Sequence, residues 1–73
     1  MRSAIFIAKN IRRIAAVKNL SFSDISAKSG IDKANVSRYL SGQKIPNVNT
    51  LIKFADVLEV ALDELVTASD DGM

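Results

Sequence analysis

The sequence predicts an all-α domain on three observations. Apolar residues recur at helical spacing throughout, no stretch sustains the alternation of a half-buried strand, and a small polar residue stands where most apolar runs begin. At 73 residues and 48% apolar content, with no cysteine, the chain is one small domain whose stability must come from packing rather than disulfides.

The first helix is expected from about Ala4 to Lys18: Ile7, Ile11 and Ile14 with Ala8 and Ala15 make one apolar face, and Lys9, Arg12 and Arg13 lie away from it. Asn19-Leu20-Ser21 breaks the pattern, and Ser21 or Ser23 can cap a short second helix that ends near Ser29. Gly30 then suits a tight left-handed turn, which costs a residue without Cβ little. Asp32 caps a third helix whose apolar stripe is Val36, Tyr39 and Leu40, with Lys33, Ala34, Ser37, Arg38 and Ser41 on the opposite side. Ser41-Gly42 stops it. Pro46 punctuates the loop, and Asn47 can cap a fourth helix with a core face of Leu51, Phe54, Ala55 and Leu58. A last short helix holds Leu62, Leu65 and Val66, and residues 67–73 read as a flexible acidic C-terminal tail after a domain over residues 1–66.

Charge is divided along this series. All ten Lys and Arg lie in residues 1–53 against only Asp24 and Asp32, a net of +8; the remainder carries Asp56, Glu59, Asp63, Glu64, Asp70 and Asp71, a net of −6. A basic body with an acidic end points to a polyanion on one side. The absence of His and Cys removes the usual zinc ligand sets, a catalytic thiol and imidazole acid–base chemistry, which argues against an enzyme and against a metal or other cofactor. The apolar run from Ala4 to Ala8 is too short for a signal peptide or a membrane span, so a cytoplasmic location is expected.

The informative element is the pair of short helices over about residues 22–40, where Ser26, Gly30 and Val36 follow one another at spacings of four and six. Ser26 is small where the two helices pass closely, Gly30 makes the turn, and Val36 fills the wedge between them, as a helix-turn-helix requires. Each feature alone is weak. Together, beside a polar and basic outer face, they are specific.

From about Ile7 to Val66 the chain resembles the Cro/C1-type (XRE-family) helix-turn-helix proteins, the phage-repressor-like DNA-binding domains. The resemblance rests on Ile11 to Ile14, on Asn19-Leu20-Ser21, on the run from Gly30 to Gly42, on Pro46, and on Thr50-Leu51 through Leu58 to the segment Leu62 to Leu65. It implies a compact five-helix, lambda-repressor-like bundle, whose third helix lies in the major groove of double-stranded DNA. Carried onto this chain, the base readers are Lys33, Ala34, Ser37 and Arg38, types that suit guanine O6 and N7, a hydroxyl contact and a thymine methyl. The matching DNA-backbone positions are Ser23, Asn35, Ser41, Lys44, Asn47 and Asn49.

Three residues depart from the family pattern. Phe22 stands where Gln is usual, so one phosphate anchor is expected to be missing, and Phe22 either packs beneath its helix or forms an exposed apolar contact. Glu59 stands for Gly and Ala61 for a capping Ser, both predicting a weaker last helix, by ~1 kcal/mol for the missing cap. The resemblance implies a transcriptional regulator, a repressor that binds a palindromic operator as a homodimer, with Leu62, Leu65 and Val66 at the dimer contact. The alternatives are an adaptor or antitoxin-like module that mainly binds protein, which Phe22 favours slightly, and a nonspecific nucleic-acid binder.

Overall fold

The computed structural model describes residues 4–67, and over them the chain forms five helices and no strand: α1 (Ala4–Val17), α2 (Phe22–Ser29), α3 (Lys33–Leu40), α4 (Val48–Leu58) and α5 (Asp63–Val66). All five expected helices are present, and α1 ends within one residue of its predicted boundary. Of the tail proposed over residues 67–73, residues 68–73 lie outside the described residues.

The helix starts follow from their caps. Ser21 opens α2 with a reciprocal pair: its hydroxyl oxygen accepts from the Asp24 N–H at 3.1 Å, while the Asp24 carboxylate accepts from the Ser21 N–H at 2.9 Å. Ser21, not Ser23, is therefore the cap. Asp32 accepts from Ala34 N–H at 3.1 Å at the head of α3, and Asn47 Oδ1 accepts from Thr50 N–H at 2.9 Å at the head of α4.

Three of the helix ends follow from residues in the left-handed region. Asn19, Gly42 and Glu59, at φ 61°, 81° and 59°, each begin the chain's exit from α1, α3 and α4. The residue after each donates five positions back, in Leu20 to Ala15 (2.9 Å), Gln43 to Arg38 (3.0 Å) and Val60 to Ala55 (3.0 Å), which closes carbonyls that the helix leaves open. Glu59 thus occupies a glycine-favouring conformation at the end of α4, rather than weakening α5 directly. At α5 the cap position falls to Leu62 and not to the expected Ala61; Leu62 makes no side-chain cap bond, and so sits just outside the helix.

The core is a single cluster drawn from every helix. Ile7, Ile11, Ile14 and Ala15 of α1 meet Ile25 of α2, Val36 and Leu40 of α3, Leu51, Phe54, Ala55 and Leu58 of α4, and Leu65 of α5. Phe54 is fully buried, with the Tyr39 ring set edge-on to it at 5.7 Å between centroids. Among the described residues Asn10 is the one buried polar side chain. Its amide donates to the carbonyls of Leu65 (2.9 Å) and Thr67 (3.3 Å), so it anchors the last helix to α1. Thr67 is also held through its own N–H to Asp63, so it belongs to the fold and not to the tail proposed from residue 67.

Candidate nucleic-acid interface

The α2–turn–α3 unit is closed by its own side chains. Gly30 takes φ 78° with no atom near the place of a Cβ, and its N–H donates to the Ser26 carbonyl at 2.9 Å. The Ser26 hydroxyl in turn donates to the Ile31 carbonyl at 2.6 Å, and Ile31 N–H donates to the Ser29 hydroxyl at 3.1 Å. Ser26 therefore does more than stay small: it ties the end of α2 to the entrance of α3. Val36 is fully buried, as the wedge position demands.

Burial of Val36 and Leu40, with Tyr39 half-buried, sets the rotation of α3 on α1 and α2. The opposite side carries Lys33, Ala34, Ser37 and Arg38, all four exposed, so the structure brings the proposed base readers onto one solvent-facing surface. Asn35, half-buried beside them, accepts a hydrogen bond on Oδ1 from Arg38 Nη1 at 3.2 Å.

Three of the proposed backbone contacts have local work of their own. Ser41 closes α3, and its hydroxyl donates to the Arg38 carbonyl at 3.1 Å. Lys44 Nζ lies 5.3 Å from the Tyr39 ring centre, which holds a cation beside the end of α3. Asn47 spends its side-chain oxygen on the α4 cap, while Asn49 and Ser23 are exposed in the first turns of α4 and α2.

Sequence reasoning missed the residue that secures α3 from behind. Arg12, on the polar side of α1, donates from Nη1 to the Leu40 carbonyl at 2.9 Å, supplying both a donor and a positive charge to the C-terminal end of α3. The only hint in the sequence is an arginine on a helix that carries no acidic partner.

Two expectations change. Phe22 is 40% exposed, so of its two readings the structure favours an apolar surface contact over packing beneath α2. Leu65 is 0% exposed and belongs to the core, because the short α5 turns it inward against α1; it has no surface to offer a second protomer. Leu62 is 36% exposed and Val66 half-buried. Among the described residues no helix is long and apolar enough to cross a membrane, and no group of three or more metal-ligating side chains comes together.

A short helix pair locked at a glycine turn, with a basic outer face and a supporting three-helix frame, defines a helix-turn-helix domain. The comparisons agree. The helix-turn-helix family model HTH_3 matches residues 9–65, and the chain belongs to that family. An uncharacterized HTH-type transcriptional regulator, y4dJ of Sinorhizobium fredii, is 32% identical over 65 residues, 89% of this chain and 84% of that protein. The cryptic phage CTXphi transcriptional repressor RstR of Vibrio cholerae is 34% identical over 47 residues, which span 64% of this chain and 42% of the repressor.

Among solved structures, the restriction-modification controller protein C.AhdI of Aeromonas hydrophila superposes with a TM-score of 0.81 at 24% identity, covering 85% of this chain and 94% of that one. An HTH_3-family transcriptional regulator of Vibrio cholerae gives 0.80 at 24% identity, over 85% of this chain and 35% of its own. These two show the fold.

Proposed function

We propose that the chain is a sequence-specific, double-stranded DNA-binding transcriptional regulator: a repressor that occupies a palindromic operator as a homodimer. The observation that carries this reading is the outer face of α3, where Lys33, Ala34, Ser37 and Arg38 are all exposed on a helix whose other side is pinned in the core. Lys33 and Arg38 supply donors for guanine, Ser37 a hydroxyl, and Ala34 a methyl for thymine. Ser23, Ser41, Lys44, Asn47 and Asn49 would meet the strands on either side.

A single reading helix covers only a few base pairs, and pairing two across a two-fold axis places half-sites ~34 Å apart. Leu62 and Val66 remain the surface assigned to that pairing, with Leu65 supporting them from the core. Asp56, Glu59, Asp63 and Glu64, on α4 and α5 and the turn between them, would then face away from phosphate. Occupancy would follow protein concentration through coupled dimerisation and binding.

The runner-up reading, an adaptor or antitoxin-like module, draws on the exposed Phe22 ring. Selection of bound duplexes from a random DNA pool at physiological salt separates the two. Enrichment of a two-fold symmetric site is the result expected; an unenriched pool would contradict it and turn attention to a protein partner.

A further inference from the structure

We infer that Asn35 is a positioning residue that holds Arg38 for base reading, rather than a residue that itself grips the DNA backbone; the inference rests on the DNA-reading role proposed for α3. Asn35 and Arg38 stand three apart on α3 and so lie over one another on the helix surface. The Asn35 Oδ1 acceptor takes one N–H of Arg38 Nη1 at 3.2 Å, although both residues border open solvent.

That bond has a consequence for recognition. A free arginine samples many rotamers and loses them on binding, whereas one already held to its own helix loses fewer. A single bond at Nη1 leaves the rest of the guanidinium fork for a two-point contact with guanine O6 and N7. The same bond commits the Asn35 carbonyl. Ser41 assists from the other end, since its hydroxyl bonds the Arg38 backbone carbonyl and keeps the last turn of α3 closed. Asn35 is also half-buried whereas Arg38 is exposed, so the more enclosed of the two does the holding.

The test uses the full chain and a duplex selected from the random pool, with each base pair substituted in turn. In Asn35→Ala, the preference at the one base pair read by Arg38 should fall by about fivefold, the worth of one hydrogen bond, while the ranking elsewhere is kept. In an Arg38→Ala background the same substitution should cost no further discrimination. Asn35→Asp keeps the acceptor and should keep the preference, with overall affinity lowered by repulsion from phosphate. Equal weakening of all duplexes by Asn35→Ala, or an undiminished effect without Arg38, would overturn the positioning role and return Asn35 to the backbone. A wild-type chain that ranks no sequences would overturn the DNA-reading role together with it.

Discussion

The Arg12 guanidinium donates to the Leu40 carbonyl at 2.9 Å, joining the polar side of α1 to the last residue of α3 across 28 positions of sequence. A carbonyl at a helix end has no partner within the helix, and a cation there also opposes the negative end of the helix dipole. Replacing Arg12 by Met keeps much of the apolar stem and removes the donor. Stability should fall by about 1 kcal/mol, read as a lower urea midpoint at unchanged slope. An unchanged midpoint would mean that water replaces the guanidinium at no cost.

Gly42 and Gly30 should respond differently to alanine. Both have positive φ, so a Cβ costs roughly 1–2 kcal/mol at either. At Gly42 the added atom also comes within 2.9 Å of Ile5 Cγ1 and 3.2 Å of Ile5 Cα, whereas at Gly30 it meets open space. Urea titrations should therefore rank Gly42→Ala as the more damaging. The reverse order would contradict the close approach of the α3 exit to α1.

Glu59 is the opportunity for stabilisation. It adopts φ 59°, ψ 46° at the end of α4, a conformation for which glycine is suited and Glu is not. Glu59→Gly should raise stability by roughly 0.5–1 kcal/mol after allowing for the more flexible unfolded chain. A thermal scan gives the sign, with a higher midpoint expected.

Much of this was legible in the sequence because it is local. Ser21, Asp32 and Asn47 announce helix starts through bonds that span only two or three residues, and Gly30 announces the turn by its type. The exposed quartet on α3 follows from the spacing of Val36 and Leu40 alone. What escaped depends on distant chain segments meeting. Asn10 shares the buried side of α1 with Ile7 and Ile14, but the carbonyls that satisfy it come from Leu65 and Thr67, 55 and 57 residues away, which its own helix does not reveal. The inward turn of Leu65 is not legible either, because a helix of four residues is too short for its periodicity to tell inward from outward. The bond from Asn35 to Arg38 is local, but a three-residue spacing permits it without requiring it.

Acid should weaken the start of α2. The Ser21 backbone N–H, and then the Ser21 side chain, hold the Asp24 carboxyl below its usual value, with Lys28 adding to the effect. A carboxyl whose value is depressed on folding contributes stability above its unfolded value, near pH 4, and loses it as pH falls through the folded one. The urea midpoint of the wild type should thus approach that of Asp24→Asn as pH falls below about 4. A gap that widens with acid would contradict the assignment.

If the outer face of α3 reads bases as proposed, Arg38 is its strongest single reader. The direct measurement is the affinity of wild type and Arg38→Ala for the selected duplex and for each of its single base-pair substitutions at one salt concentration. The prediction is a loss of ~1–3 kcal/mol on the selected site, with discrimination relaxed at one base pair and kept at the others. An Arg38→Ala protein that ranks the duplexes as the wild type does would contradict it.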